Sequence, residues 1–148
     1  AQLGFLHEDL CVAMAERVTS TAYTCNTQEL CWLMDAYATA RCSVHSVVTE
    51  ITKQTLLRLE EFTLSQLCLH ASSFARLNIR NAQLFSSIAE RLEQAPLVSD
   101  LDAPPAYMYS LSARDLTLAA YSFAKLGFYT PSVFETVSRA ALPVVRDF

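Results

Sequence analysis

The chain has 148 residues, of which 52% are hydrophobic and 18% charged, and its formal net charge is −4. This composition excludes an intrinsically disordered chain, because so apolar a sequence can bury enough surface to fold. Two glycines are too few for the turns of a fold built from many short strands. The acidic balance counts against a protein that binds nucleic acid over its whole surface, since such proteins usually carry a basic excess.

Neither a membrane span nor a disulfide framework is predicted. The longest stretch without a charged residue, 62–75, has 14 residues, whereas a transmembrane helix needs about 18 to 20. The five cysteines are an odd set without Cys-x-x-Cys spacing, so we expect small core residues in a reducing compartment. The chain starts without Met or a basic presequence, and we expect it to be an ordered part of a longer protein.

Internal similarity organises the chain. Three segments align, residues 30–37, 67–74 and 116–123, at spacings of 37 and then 49 residues. An insertion at 95–110, which contains three of the five prolines, accounts for the extra twelve residues. We call positions related by these two spacings corresponding positions. Such self-similarity at a fixed period is typical of helical repeat proteins.

Each of these segments is preceded by a helix-start signal. A side-chain acceptor stands at the predicted N-cap and an acidic or amide residue three positions later: Asn26 with Glu29, Thr63 with Gln66, and Ser112 with Asp115. Such a pair satisfies the backbone N–H groups that a helix start leaves free. The strict capping box prefers Ser or Thr followed by Glu or Gln, and only Thr63 with Gln66 fits this residue preference fully.

A second set of apolar segments follows at the same offsets. It comprises residues 10–18, 47–51, 84–92 and 133–137. Their apolar residues lie three and four positions apart, as on one face of a helix. Asn81 and Thr130 are predicted N-caps, and Gly127 is a predicted helix C-cap.

The predicted unit is therefore helix A, a short turn and helix B. We expect an all-α fold, an α-solenoid of stacked helical hairpins with a period of about 37 residues. A single domain would span 1–148, with a half unit at 7–20, full units at 26–58, 63–94 and 112–143, and a loop insertion at 95–110. Four B helices but only three A helices are predicted. Such a stack has open ends, whose apolar faces further repeats or partners would cover.

Two helix pairs carry a family resemblance. Residues 71–77 read Ala-Ser-Ser-Phe-Ala-Arg-Leu and precede a Leu-Phe helix start at 84, and residues 120–126 with 133–137 repeat the pattern. The pattern resembles the octotricopeptide and heptatricopeptide repeats of organellar proteins, which often accompany FAST-kinase-like or RAP domains. The resemblance implies a mitochondrial or plastid protein that acts on organellar RNA or ribosomes.

The sequence contains no recognisable catalytic motif. His7, His45 and His70 lie in different predicted units, and no phosphate-binding glycine loop or metal-ligand spacing is present. We expect His70 to pack between helices and His45 to be solvated near the start of a B helix. Cys31 and Cys68 share a corresponding position, which favours a tight helix contact. The prediction is a protein that is not an enzyme and has no cofactor, metal ion or small-molecule substrate.

Polar side chains opposite the apolar face of helix A are the candidate RNA-binding residues. Aligned along stacked helices, they would form a groove in which such side chains meet bases and phosphates. The candidates are Gln28, Ser65, Ser72, Arg76, Arg80, Arg114, Tyr121 and Lys125. Arg76 and Arg80 are predicted to form the one compact basic cluster, and Asp35 would repel phosphate. The alternative is an ordinary solvated face.

The insertion supplies a candidate surface for protein partners. Tyr107, Met108 and Tyr109 are residue types enriched in protein contacts, although the segment could equally fold back before Ser112. The leading prediction is a helical-repeat protein associated with organellar rRNA or mRNA, such as a structural subunit of a mitochondrial ribosome, in contact with neighbouring protein subunits. The alternative is a protein-binding scaffold in another large mitochondrial assembly.

Overall fold

The computed structural model describes residues 2–94 and 111–146, with side chains for 9–94 and 111–139. Every regular element in these ranges is helical, which confirms the all-α prediction. The α-helices are α1 (Gln2–Thr21), α2 (Thr27–Thr39), α3 (His45–Leu57), α4 (Leu64–Arg76), α5 (Ala82–Glu93), α6 (Ala113–Leu126) and α7 (Pro131–Arg146). Short 3-10 turns at Ala22–Thr24 and Leu59–Glu61 precede α2 and α4. None of the described helices is long and apolar enough to span a membrane.

Helices α2, α4 and α6 begin with the same reciprocal cap. The Asn26 side chain accepts a hydrogen bond from the Glu29 N–H (2.9 Å), and Glu29 Oε2 accepts one from the Asn26 N–H (2.8 Å). The equivalent boxes form at the starts of α4 and α6. The prediction that each of the three pairs satisfies the N–H groups of a helix start is therefore confirmed. Asn at the N-cap and Asp at the third position supply the same acceptor atoms, so the wider set of residues suffices.

The turns between paired helices share one backbone conformation. A residue with positive φ follows α2, α4 and α6: Arg41 (54°), Asn78 (56°) and Gly127 (71°). These three residues occupy corresponding positions. In each turn the N–H of the following residue donates a hydrogen bond to the carbonyl five residues earlier, as Cys42 does to Tyr37 (3.0 Å). Glycine adopts this left-handed conformation without a Cβ penalty. The predicted helix C-cap at Gly127 is confirmed.

The helices lie in two rows that pack against each other. In the first row α2 contacts α4 and α4 contacts α6; in the second, α1 contacts α3, α3 contacts α5 and α5 contacts α7. The contacts α2–α3, α4–α5 and α6–α7 join the rows. Each described helix of the first row therefore packs on the helix that follows it in the chain.

The core lies between the rows. The fully buried side chains of largest volume include Phe74 and Phe123 from the first row and Phe85 from the second. The Phe85 ring stacks on Phe128 with centroids 4.6 Å apart and meets Phe123 edge-on at 5.0 Å. Apolar residues at the predicted spacing therefore do face inward. The predicted loop at 95–110, with its candidates Tyr107, Met108 and Tyr109, lies outside the described residues.

Candidate functional site

The predicted RNA-binding residues of α2 and α4 join neighbouring helices of the first row. Gln66 Nε2 donates a hydrogen bond to Gln28 Oε1 (3.2 Å), which links α4 to α2. Ser65 Oγ donates to Asp115 Oδ1 (2.8 Å), which links α4 to α6. Gln28 corresponds to Ser65, and Gln66 corresponds to Asp115. The same polar contact therefore occurs twice along the row, and these side chains line a contact between helices.

Ser72 lies inside the protein. Its side chain is only 4% exposed, because α4 is packed between α2 and α6. The prediction that Ser72 lies on an accessible face is therefore wrong. Sequence spacing identifies the face of helix A that points away from its own helix B, but it does not say that the next helix of the row covers part of that face.

The two predicted basic residues of the α4–α5 turn have different partners. Arg76 donates to Asp35 Oδ1 (2.9 Å), to the Asp35 carbonyl (3.0 Å) and to Thr39 Oγ1 (2.9 Å). Arg80 lies over the Phe128 ring, with its guanidinium carbon 5.2 Å from the ring centroid. The prediction of one compact basic cluster is wrong, because each guanidinium is drawn to a separate contact. Asp35 neutralises Arg76.

The remaining three candidates lie together on α6. Arg114, Tyr121 and Lys125 are all exposed, and Lys125 Nζ lies 5.4 Å from the Tyr121 ring centroid, within cation–π range. With the exposed Thr117 they form a polar strip that we call the α6 surface. Arg114 corresponds to Gln28, which contacts α4, and to Ser65, which contacts α6. No further helix of this row lies beyond α6 among the described residues.

A second surface was not among the residue-level predictions. It consists of Leu10 and Met14 on α1 and Glu29, Trp32 and Ala36 on α2, all exposed, and we call it the α1–α2 surface. Its three large apolar side chains are 55%, 48% and 61% exposed at Leu10, Met14 and Trp32. The sequence does contain a signal that could have located this surface. It predicts four B helices but only three A helices, so one B helix has no A helix of its own.

The α1 half of this surface uses positions that are buried elsewhere. Leu10 corresponds to Val47 in α3, and Met14 corresponds to Ile51; both α3 side chains are fully buried. In α5 the corresponding side chains are buried to the same extent: Leu84 and Ile88. Helices α3 and α5 bury these positions against a first-row helix, α2 or α4. No first-row helix in the described ranges stands in that relation to α1.

The exposed positions on α2 are likewise more buried at the corresponding positions of another helix. Trp32 corresponds to Leu69 in α4, which is half-buried, and Ala36 corresponds to Ser73, which is fully buried. The covering element for α4 is α2 itself. No described helix covers the matching side of α2, so Trp32 and Ala36 stay exposed.

A contact between two buried polar side chains joins α3 to α4. His70 is fully buried, and its Nε2 lies 3.2 Å from Thr55 Oγ1. Thr55 Oγ1 donates its hydrogen to the Ile51 carbonyl, so His70 must donate from Nε2 and carry its lone pair on Nδ1. Burial lowers the pKa of His70 to about 4. The predicted packing role of His70 is confirmed, because the ring is fully buried and its contact with Thr55 joins α4 to α3.

Cys31 and Cys68 occupy equivalent contacts between first-row helices. Cys31 Sγ lies 3.5 Å from the Gln66 carbonyl oxygen. Burial raises the pKa of Cys31 to about 12, with the Asp35 carboxylate adding to the shift. Burial likewise raises the pKa of Cys68 to about 12, with Asp115 adding to it. Both thiols stay protonated at neutral pH and are poor nucleophiles.

A shallow groove lies between α3 and the start of α5. It encloses about 470 Å³ and includes His45, Lys53, Arg80 and Asn81 in its lining. His45 is exposed at the first position of α3, as predicted. The lining also contains the apolar side chains Val48, Leu56 and Ile79, so the two cations lie beside apolar surface.

Within the described ranges, no group of three or more His, Cys, Asp or Glu side chains could hold a metal ion. Comparison with protein-family models and with curated proteins finds no match for this chain.

Proposed function

We propose that the chain is a non-enzymatic α-solenoid that acts as a scaffold for protein partners. The solenoid is supported by recurrence of local structure: α2, α4 and α6 begin at residues 27, 64 and 113, and α3, α5 and α7 at 45, 82 and 131. These starts follow the spacings of 37 and 49 residues. The recurring polar contact between first-row helices supports the same stacking in each unit.

One observation carries the scaffold function. The exposed large apolar side chains on α1 and α2 are concentrated: Leu10, Val12, Met14 and Trp32 lie there, with Tyr23 in the turn between the helices. Leu10 and Met14, four residues apart, share one side of α1, and a large exposed apolar patch on a folded protein marks an interaction site. The partner is a protein, because apolar side chains of this size gain most by packing against another apolar surface.

Association with organellar rRNA or mRNA is the second candidate, and the α6 surface favours it. Arg114 and Lys125 offer two cations on the same surface as the half-exposed Tyr121 ring. In RNA complexes cations contact phosphates, and aromatic rings stack on bases. The lining of the groove at Lys53 and Arg80 adds two more cations. A place in a mitochondrial ribosome or another large mitochondrial assembly rests on the family resemblance alone.

Site-specific photo-crosslinking separates the two candidates. A photoreactive phenylalanine analogue is placed at Trp32, at Tyr121 or at Tyr129, and the full chain is irradiated in the cells that produce it. Tyr129 is the matched control, because it is a highly exposed aromatic residue that belongs to neither surface. Scaffold function predicts nuclease-resistant protein adducts from position 32 well above those from position 129.

The result at position 121 tests the RNA candidate. Nuclease-sensitive adducts there, lost in an Arg114→Ala and Lys125→Ala double variant, would support direct RNA contact. If position 32 gives no more protein adducts than position 129 does, the scaffold function is contradicted.

A further inference from the structure

We infer that the connection between α3 and α4 is an acid-sensitive joint, in which proton uptake by His70 displaces the turn at 59–62 and exposes the ring to water. The inference goes beyond the scaffold function and does not depend on it. His70 lies on α4 and is hydrogen-bonded to Thr55 of α3. Phe62, from the turn between these helices, meets the His70 ring edge-on, with centroids 6.1 Å apart. One fully buried imidazole therefore contacts all three parts of the connection.

The buried ring has no acceptor for a second proton. Its Nε2 hydrogen goes to Thr55 Oγ1, and Nδ1 is buried without a hydrogen-bond partner among the described residues. The other groups that face the ring are Phe62 and Phe74, which neither titrate nor carry charge. Burial lowers the pKa of His70 to about 4, and no charged side chain of the described residues adds to this shift. The protonated ring therefore favours a conformation in which water reaches Nδ1.

The turn at 59–62 is the part of the connection that moves at least cost. Phe62 is its one buried side chain, whereas Glu60 and Glu61 are exposed. Displacing the turn removes one ring from the core, but moving α4 would break its packing on both α2 and α6. The two exposed carboxylates adjoin Phe62 in the chain, so they favour the imidazolium once the turn has released it.

The corresponding positions in the other units do not combine these features. Apolar residues stand at the positions that correspond to His70 and Thr55: Leu33 and Ala119 for the first, Val18 and Leu92 for the second. The turn before α2 has Tyr23 and Thr24 where the turn before α4 has its two glutamates. The titratable ring, its polar partner and the acidic turn therefore occur together at the α3–α4 connection and not at the α1–α2 connection.

The difference in proton affinity between the closed and open states sets the size and direction of the response. An exposed histidine has a pKa of ~6.5, above the value of about 4 for the buried ring. Between these two values the open state binds more protons, so opening is favoured as the pH falls. The open population should therefore rise by about 20-fold between pH 7 and pH 5.

Amide hydrogen exchange, measured by NMR on the full chain, tests the joint. The reporter is the Phe62 N–H, which donates to the Leu59 carbonyl (3.2 Å) within the turn. The matched control is the Cys25 N–H, which donates to the Ala22 carbonyl (3.3 Å) at the corresponding position before α2. After correction for the intrinsic exchange rate at each pH, protection at Phe62 should fall by about 20-fold from pH 7 to pH 5. Protection at Cys25 should change by less than ~2-fold.

Three variants assign the response to one ring. His70→Leu introduces the residue that stands at the corresponding position of α2, and it should remove the pH dependence at Phe62. His70→Phe is the second variant, because it places an uncharged ring between Phe62 and Phe74, and it should have the same effect. His45→Gln removes an exposed histidine and should leave the pH dependence intact.

Two results would overturn the inference. The first is protection at Phe62 that does not change between the two pH values, or that falls equally in both His70 variants. The second is an equal fall at Cys25, because acid would then open the whole fold and not the one turn beside His70.

Discussion

In the part of the chain that the structure describes, no helix covers the first row on two sides, and the chemistry of these two sides differs. Beyond α6 the exposed positions are Arg114, Thr117, Tyr121 and Lys125, all of which have polar groups that water can solvate. Before α2 the exposed positions include Trp32 and Ala36, beside Leu10 and Met14 on α1. The α6 surface is stable in contact with water, whereas the α1–α2 surface exposes large apolar groups.

The difference between the two surfaces reflects how deeply corresponding positions are buried in α2, α4 and α6. The position of Trp32 is half-buried in α4 and α6, at Leu69 and Leu118, and the position of Ala36 is fully buried there, at Ser73 and Ser122. The outward positions of α6 are therefore polar, whereas α2 exposes, at Trp32 and Ala36, positions that are half-buried or fully buried in α4 and α6.

The largest expected effect contrasts the core with the open surface. Phe74→Ala removes a fully buried ring and should lower the free energy of unfolding by ~3 to 5 kcal/mol, because it leaves a cavity between the rows. Trp32→Ala removes a larger side chain that is 61% exposed, and we expect a loss of less than ~1 kcal/mol. Denaturant unfolding followed by circular dichroism measures both.

Phe123→Ala is the matched variant at the corresponding position in α6. It should cost as much as Phe74→Ala, since both rings are fully buried. If Trp32→Ala lowered the free energy of unfolding as much as Phe74→Ala does, the contrast between core and open surface would be contradicted, because Trp32 would then behave as a core residue.

The second prediction uses His70, whose corresponding residue in α2 is Leu33, half-buried beside the open surface. Burial holds the pKa of His70 near 4 in the folded chain, below the ~6.5 of an unfolded histidine. Between these two values the unfolded state binds more protons, so stability falls as pH falls from ~6.5 toward 4. For a pKa difference of this size the loss is on the order of 3 kcal/mol and develops progressively below pH ~6.5.

Urea unfolding at a series of pH values measures this loss. His70→Phe should flatten the curve in that window, since the ring lies between Phe62 and Phe74 and phenylalanine does not titrate. His45→Gln is the control: His45 is exposed, and its replacement should leave the slope unchanged. A slope that survives in His70→Phe would exclude His70 as its cause.

Local signals predicted much of the fold. The N-caps, the turn at Gly127 and the apolar spacing depend on interactions within a few residues, and the helix boundaries follow them. Asn26 with Glu29 forms a full capping box that the residue preferences alone did not predict. The reason is that acceptor geometry, rather than residue type, decides whether the box closes.

The candidate site was harder to predict, because exposure depends on the neighbouring helix. Ser72 and Tyr121 correspond to each other, yet Ser72 is 4% and Tyr121 48% exposed. The sequence around each residue does not predict this difference in exposure. The difference arises because α6 covers α4, whereas no described first-row helix lies beyond α6. Charge pairing has the same origin, since Arg76 and Asp35 are 41 residues apart.

The third prediction compares one polar contact with its uncovered counterpart. Ser65→Ala removes the hydrogen bond to Asp115, whose carboxylate is 7% exposed. We expect a loss of ~1 to 2 kcal/mol, because a buried charged acceptor loses a partner. Arg114→Ala, at the corresponding position on the α6 surface, should change stability by less than ~0.5 kcal/mol. Equal losses in the two variants would show that this contact contributes nothing specific.

The smallest expected effect concerns Arg76 and its counterpart Lys125. Arg76 binds Asp35 and Thr39 across the α2–α4 contact, but both charged side chains are about one-third exposed, so solvent screens the pair. We expect Arg76→Ala to cost ~0.5 to 1 kcal/mol, more than a typical surface ion pair because three hydrogen bonds are lost. Lys125→Ala should cost nothing measurable, since its one described contact is with the exposed Tyr121 ring of its own helix. Raising the salt concentration from 0.05 to ~1 M should narrow the gap between the two variants, because screening weakens only the ion pair. A gap that does not change with salt would assign the Arg76 effect to packing of its side chain against α2.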